Sequence, residues 1–457
     1  MAMNKTVVID VVGLTAGLIG EHTPFLSSYT KNKNVAAIQP AFPALTTSAQ
    51  STYLTGKLPS AHGIVGNGWY DHAECDIKFW KQSNKLVQAE KIWELAKRID
   101  PDFTCANLFW WYNMYSSVDY SVTPRPNYLA DGRKMPDCYT QPADLRDFLQ
   151  QELGVFPLFQ FWGPGAGIAS STWIADASIL TEKRYNPTLT LVYLPHLDYC
   201  LQKYGPDLPL IASDLRAIDA EIEKLVLFYE SRKAEIIILS EYAITPVSKV
   251  VYPNRILRKA GYLGIRHEQG LELLDAGASK AFAVADHQLA HIYVNDKSIL
   301  DTLKGVFSAD KNIALVLDKQ QQLAHGISHD RSGDLVLVSA SDAWFSYYFW
   351  LDDALAPDYA RTVDIFKKPG YDPVEMFMTS KVKAGYKLLR KKIGLRYVMN
   401  VIPLNPDLIK GSHGHIPDAG TARPIFIGSF KQREDPIQAC DIFSVIMQAL
   451  TGNGTLK

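Results

Sequence analysis

The feature that most constrains this chain is the alternation of short, unbroken apolar runs with stretches of helical periodicity. Thr6–Val12 is a run of β-branched and apolar residues interrupted only by Asp10, and it stops at Gly13. Similar runs lie at Thr104–Leu108, Leu189–Leu194 and Glu235–Leu239. A strand covered on both faces reads as a continuous apolar run, whereas a half-exposed strand alternates. Between these runs, Lys91–Arg98, Gln141–Gln151 and Ile211–Ser231 mix charges with apolar residues; in the last, Leu215, Ile218, Ile222, Leu225 and Leu227–Phe228 recur near helical spacing. Strand–helix alternation predicts an α/β fold, a mostly parallel sheet flanked by helices. In such sheets ligands gather at the carboxyl ends of strands. The residues just past each run are therefore candidates: Gly13, His196, Asp198, Ser240 and Glu241.

The alternation weakens after Pro246. Shorter strands are expected at Phe282–Val284, His291–Val294 and Leu335–Ser339, followed by the lysine-rich stretch Lys381–Lys392. From Gly411 the α/β style resumes, with a strand at Pro424–Ile427 and a helix at Ile437–Leu450. The expected organisation is an α/β core over 1–245 and 405–457, with 246–404 holding an inserted smaller α+β cap and late core strands. With 457 residues and 47% hydrophobic content, the chain can bury a sizeable core.

Charge narrows the partners. Lys and Arg total 47 against 48 Asp and Glu, a net charge of -1. That balance gives no bulk attraction to nucleic acid or anionic membrane, so neither polymer nor membrane is an expected partner. The five cysteines (Cys75, Cys105, Cys138, Cys200, Cys440) are scattered, which fits neither a disulfide framework nor a zinc knuckle and suits a reducing compartment. Asp10 breaks the N-terminal apolar run, as a signal peptide would not, and no run approaches the ~20 residues of a membrane span. A cytoplasmic location is expected. The oligomeric state has no signal in the sequence.

The chemistry concentrates first between Gln39 and Gly56, where Thr46, Thr47 and Ser48 precede a helix expected near Ala49. A hydroxyl at a helix N-terminus faces unpaired backbone N–H groups and the positive end of the dipole. That setting suits an alkoxide attacking phosphorus and cradles phosphoryl oxygens. The local alternative is an N-cap, for which Ser and Thr are preferred. No P-loop or dinucleotide fingerprint is present.

Pro43, Thr46, Thr55–Gly56, Pro59, His62–Gly63–Ile64 and Asn67 fall in step with one pattern. Together they resemble the nucleotide pyrophosphatase/phosphodiesterase branch of the alkaline phosphatase superfamily. The resemblance implies a metal-dependent hydrolase of phosphodiester or pyrophosphate bonds, acting on a small phosphorylated substrate. It makes Thr46 the nucleophile and Asn67 the residue holding a phosphoryl oxygen, with the Thr47 N–H beside it. Later blocks carry the resemblance on. Asp198 and Gly205–Pro206 match a strand-end segment in which Gln202 stands where the family has histidine. Glu241 and Tyr242 stand where the family has Asp-His, and His413 matches the late His-Gly ligand. Val12 occupies the place of the first metal-binding aspartate; Asp10, two residues earlier, lies on the same strand face. Asp10 otherwise reads as a buried carboxylate paired with something else. A run around Arg331–Asp334 extends the likeness without adding chemistry.

The metal candidates are therefore Asp198, Glu241, His413, Asp10 and Gln202. His287, next to an Asp286 that can orient its ring, is a further candidate. His291, and His196 if it shares a strand face with Asp198, are possible replacements. Carboxylates and a carbonyl suit Mg²⁺ or Mn²⁺, one or two per chain, whereas added imidazoles would favour Zn²⁺. The alternatives are a phosphonate hydrolase or phosphomonoesterase on the same fold, or a ligand-depleted relative that binds a phosphometabolite without turnover. Phe109–Tyr115 and Trp69–Tyr70 form either a wall for a flat leaving group or ordinary packing. Arg125, Arg133 and Lys134 either pair with substrate phosphate or are a solvated loop.

Overall fold

The strand β1 (Thr6–Val11) is buried from end to end, so it needs cover on both faces and a partner at both edges. The computed structural model, which describes residues 3–415, 420–429 and 435–452, supplies both. Numbering the strands of the two larger sheets in chain order, β2 is Asn34–Gln39, β3 Cys105–Leu108, β4 Tyr120–Pro124, β5 Cys138–Gln141, β6 Leu189–Leu194 and β7 Glu235–Leu239. Then come β8 (Ala281–Asp286), β9 (Leu289–Val294), β10 (Ile313–Leu317), β11 (Leu335–Ser339), β12 (Ile425–Gly428) and β13 (Ile437–Gln438).

Among the described residues, nine strands form one sheet in the order β13-β2-β12-β7-β1-β6-β3-β4-β5. Its centre is parallel: β1 lies between β6 and β7, with Asp10 opposite Tyr193 and Leu239. Antiparallel pairs flank that centre at β7–β12, β12–β2 and β4–β5. The helices that matter below are α1 (Thr46–Thr55), α2 (Ile168–Tyr185), α3 (His196–Tyr204), α4 (Leu208–Ser231), α5 (Lys381–Lys392) and α6 (Asp441–Thr451). α4 buries Ile211, Leu215, Ile218, Ile222 and Leu225 in the same hydrophobic cluster as β1, β6 and β7. Each such side chain contributes roughly 1.5–3 kcal/mol relative to leaving it in water. The architecture is a mixed sheet flanked by helices.

A second, antiparallel sheet has the order β8-β9-β11-β10 and a core of its own, rich in Phe282, Tyr293, Phe345, Tyr348 and Trp350. A further cluster joins Leu45, Ile64 and Val65, around α1, to Leu289 and Val336 of this sheet. That packing brings the β8–β9 hairpin to the N-terminus of α1. Gly411, two residues before His413, packs so tightly that a Cβ there would collide with the Leu201 carbonyl oxygen.

Several expected boundaries move. Gln141 belongs to β5, and the helix follows at Asp144–Leu153, because the residue before Pro142 is driven to extended backbone. The helix near residue 91 is Ile92–Ile99 with Lys91 flanking it. The expected helix at Ile437–Leu450 divides into β13 and α6. Among the described residues no helix is long and apolar enough to cross a membrane. All five cysteines are free thiols.

Candidate active site

α1 begins three residues before Ala49, at Thr46, and the flanking N-cap position is Leu45, extended at φ −123° and ψ 149° with no side-chain cap. Thr46 is therefore the first helical residue, and its hydroxyl is not used as a cap. Its Oγ1 lies 3.0 Å from Tyr242 Oη. Tyr242 in turn donates to Asp198 Oδ1 at 3.3 Å, so its oxygen accepts the Thr46 proton and a directed chain runs from Thr46 through Tyr242 to Asp198. Burial, then the charges of Asp198 and Glu241, hold the Tyr242 phenol well above its usual range, so it stays neutral. Burial raises Asp198 to about 7 against the opposing hydrogen bonds from Gln202 and Tyr242. Thr46, Tyr242 and Asp198 all line a cleft of about 970 Å³.

On one side of Thr46 the polar groups close on each other. The Thr47 N–H donates to Asn67 Oδ1 at 3.2 Å, and the Thr47 hydroxyl donates to Gly66 O at 2.8 Å. Asn67 donates from its backbone N to Asp286 Oδ2 at 2.8 Å and from Nδ2 to Asp286 Oδ1 at 3.1 Å. Asp286, raised to about 6 by burial, also lies 2.8 Å from His287 Nδ1. His287 sits at the β8–β9 turn with φ 59°, a backbone region costly for a residue with a Cβ. Tyr371 at 3.6 Å and His413 at 3.9 Å stack against its ring and hold it there. With Nδ1 given to Asp286, its Nε2 remains for the cleft that His287 lines.

On the other side lie the buried carboxyls. Gln50, one turn after Thr46 on α1, donates to Glu241 Oε1 at 2.5 Å and to Asp10 Oδ2 at 3.4 Å. Its own carbonyl accepts the Trp111 N–H at 2.6 Å. Burial raises both Asp10, to about 7, and Glu241, whose pair with Asp10 raises it further. His413 donates from Nδ1 to Ala44 O at 2.8 Å, leaving Nε2 4.0 Å from Asp198 Oδ1. Its ring stacks on Tyr242 at 3.5 Å. Burial first, then His287, keeps that imidazole neutral.

The remaining candidates separate. Gln202 donates to Asp198 Oδ2 at 2.8 Å, and its carbonyl oxygen accepts the Tyr371 hydroxyl at 3.0 Å. His196 does not share a strand face with Asp198. It opens α3 after Pro195, and residues two apart on a helix point roughly 200° from one another. Its Nε2 lies 3.1 Å from Asp214 instead. His291 has both nitrogens engaged, with Val65 O and the Gly333 N–H, each at 3.1 Å. Of the aromatic run, Trp111 lines the cleft beside Trp80, whereas Phe109 packs on Phe156 and Trp110 is in the core. Arg125, Arg133 and Lys134 also line the cleft.

Residues 6–372 match the type I phosphodiesterase / nucleotide pyrophosphatase family. The chain belongs to this family. An uncharacterized pyrophosphatase/phosphodiesterase of Schizosaccharomyces pombe (strain 972 / ATCC 24843) is 27% identical over 263 residues, which are 54% of this chain and 46% of that protein. The matched stretch thus spans about half of that relative's length. Murine ectonucleotide pyrophosphatase / phosphodiesterase 5 superposes with a TM-score of 0.59 at 16% identity, covering 98% of this chain and 95% of that one. Phosphonoacetate hydrolase from Sinorhizobium meliloti 1021, solved with phosphonoformate, gives 0.61 at 14% identity, covering 98% and 96%. At these identities the structural likeness is one of fold.

Type I phosphodiesterases are generally dependent on divalent metal ions. Among the described residues, no group of three or more His, Cys, Asp or Glu is gathered around a single point. The donors instead form two pairs, Asp10 with Glu241 and Asp198 with His413. Asp10 Oδ1 and Glu241 Oε2 are buried and, apart from each other, have no donor, and His413 Nε2 is buried without a hydrogen-bond partner. Such a set fits a hard ion held by one or two carboxylates and completed by substrate oxygens and water. Two contributors escaped the sequence reading. Gln50 had a signal, its place four residues after Thr46 on one helix face. Tyr371 had none.

Proposed function

We propose that this type I phosphodiesterase relative hydrolyses phosphodiester or pyrophosphate bonds of small substrates, with Thr46 as the nucleophile. The observation that carries the reading is the directed chain Thr46–Tyr242–Asp198 at the base of the cleft. As Thr46 Oγ1 forms its bond to phosphorus, its proton passes to Tyr242 Oη and the Tyr242 proton passes to Asp198. An acceptor raised to about 7 is matched to proton transfer near neutral pH. The bond to the leaving oxygen breaks, and water then releases the phosphoryl group from Thr46. The positive end of α1 favours negative charge on the phosphoryl oxygens. The Thr47 N–H, expected beside them, is given to Asn67 Oδ1 instead, and Asn67, fixed by Asp286, is the side-chain donor there.

A divalent ion bound by Asp198 and His413, or by Asp10 and Glu241, would supply Lewis-acid stabilisation of the phosphoryl oxygens and acidify the attacking hydroxyl. Three carboxylates against one imidazole favour Mg²⁺ or Mn²⁺, and recruitment of His287 would shift the preference towards Zn²⁺. The aromatic and apolar cleft lining favours a bulky leaving group, and Arg125, which lines the same cleft, is the candidate to pair with a second phosphate, Arg133 being paired with Asp131.

The test is turnover of an aryl phosphodiester beside an aryl monoester and a phosphonate, with chelator-treated protein reloaded with each metal in turn. Thr46→Ala should lower kcat on the preferred substrate at least about 10³-fold. Equal rates in wild type and Thr46→Ala would remove the nucleophile. Binding of the substrate with no turnover under any metal would favour a ligand-depleted binder.

A further inference from the structure

The helix α5 carries two different apolar faces. Ala384 and Leu388 line the cleft. Val382, Tyr386, Leu389 and Ile393 point the other way and are 83%, 57%, 55% and 61% exposed. Their spacing of four, three and four residues places them within an arc of roughly 60° on a helix. Val398, in the segment that follows, is exposed as well, whereas Leu395, half exposed, lines the cleft.

The charge on this stretch is of one sign. Lys381, Lys383, Lys387, Arg390, Lys391, Lys392 and Arg396 are cations, and no acidic residue lies between Glu375 and Asp407. The whole chain has a net charge of -1, so this is a local concentration that the average conceals. On the helix, Lys383, Lys387 and Arg390 flank the exposed stripe on one side, and Lys381 and Lys392 flank it on the other. Among the described residues none of the seven forms an ion pair with a carboxylate. An apolar stripe edged by cations is the pattern of a helix lying in the plane of a bilayer surface, its apolar side chains among the headgroups and its cations on lipid phosphates.

We propose that the outer face of α5, continued by Ile393 and Val398, forms a docking element for an anionic lipid bilayer. The occupant is set by charge complementarity: the five cations that edge the stripe, Lys381, Lys383, Lys387, Arg390 and Lys392, attract an anionic surface, while Lys391 and Arg396 line the cleft, and the stripe gains by leaving water. Since the other face of α5 lines the cleft, docking would set the mouth of the cleft at the headgroup layer. Entry of an amphiphilic phosphoester from the bilayer rests on the reaction proposed above; the docking itself does not.

Flotation of the full chain with vesicles tests it. Vesicles of phosphatidylcholine with about one-third phosphatidylglycerol should bind the protein at least about tenfold more tightly than phosphatidylcholine alone, and the difference should shrink at about 0.5 M salt. Lys383→Glu with Lys387→Glu should remove most of that difference. Leu389→Asp with Ile393→Asp should weaken binding about tenfold while circular dichroism and the thermal midpoint stay at wild-type values. Thr46→Ala protein should bind as wild type, so loss of the catalytic reading leaves docking intact. Equal binding to neutral and anionic vesicles, or wild-type binding by both double variants, would overturn the proposal. So would a stable dimer broken by Leu389→Asp and Ile393→Asp without vesicle binding, or capture on heparin without capture on vesicles.

Discussion

The two walls that meet at Thr46 are built on opposite terms. On the Asn67 side, Thr47, Asn67, Asp286 and His287 spend their hydrogen bonds on one another, and the chain of contacts closes within the protein. On the Asp198 side, Asp10 and Glu241 are buried facing each other and Gln50, with no further donor reaching Asp10 Oδ1 or Glu241 Oε2, and His413 Nε2 has no partner. A buried polar atom left without a partner costs about 1–3 kcal/mol, so this wall carries a local penalty the other does not. The first wall is closed by folding except at His287 Nε2, which faces the cleft. The second is left short by folding, and the proposed cation would complete it.

The difference is broken most severely at Asp198. Asp198→Asn removes the acceptor at the end of the proton chain and one donor of the second pair, so kcat should fall about 10³-fold, near 4 kcal/mol in barrier. The metal-free thermal midpoint should hold or rise, since an amide is cheaper to bury than a carboxylate and the Tyr242 hydroxyl can turn to accept from the new N–H₂ group. Wild-type protein in Mg²⁺ or Mn²⁺ at about 100 times its dissociation constant should gain about 2.7 kcal/mol of stability, a gain Asp198→Asn loses in large part. Calorimetry with and without chelator reads both. A midpoint that drops in metal-free Asp198→Asn would mean the open wall is stabilised by the protein alone.

How much of this the sequence revealed depends on the range of the interaction. β6 and β7 were readable to the residue because a strand buried on both faces has an unbroken apolar signature. Asp10 and Glu241 were both metal candidates through the family resemblance, and the structure gathers them around Gln50. His196 was misread because the chain turns from strand to helix at Pro195, which changes the side-chain period between two adjacent candidates. The start of α1 was set late because Leu45, an apolar residue with no capping oxygen, takes the N-cap position. Tyr371 reaches Gln202 across 169 residues of chain, through a loop held by the buried Lys368–Asp372 and Lys368–Glu375 pairs. No local pattern encodes that approach.

A smaller effect should come from the closed wall. Asp286→Asn puts an N–H₂ group where one of two accepting oxygens stood, so either Asn67 or His287 loses its acceptor. Here activity and stability should fall together: about 1–3 kcal/mol of unfolding free energy for the group left unmatched, and about 10²-fold in kcat as Asn67 loses its fixed direction. Metal-linked stabilisation should persist, because the second wall is untouched. Loss of metal stabilisation in Asp286→Asn would show that the two walls are one unit.

The smallest effect is a slope with pH, and it belongs to the closed side. His62 accepts the Ile64 N–H at Nδ1 and meets the Thr52 hydroxyl at Nε2, both at 3.1 Å, which ties the loop after α1 back onto the helix. Burial, then the neighbouring His329 and Arg331, lowers its pKa from 6.5 to about 3. The folded chain therefore keeps His62 neutral between these values, while the unfolded chain takes up a proton below 6.5. The unfolded state binds more protons in that window, so the His62 contribution is intact above pH 6.5 and falls as the pH drops towards 3. It runs against the opposite slopes of Asp10, Asp198 and Asp286, whose raised carboxyls take up protons first in the folded chain. The loss is roughly 1.4 kcal/mol per pH unit, and His291, lowered to about 4 mainly by burial, adds a second slope over its own window. Denaturant titrations of metal-free protein between pH 7 and 5 should show both. His62→Gln, which keeps an amide near Thr52 and the Ile64 N–H and cannot titrate, should be less stable at pH 7 but lose stability less steeply on acidification. An unchanged slope in that variant would place the acid sensitivity elsewhere, in His291 or in the open wall.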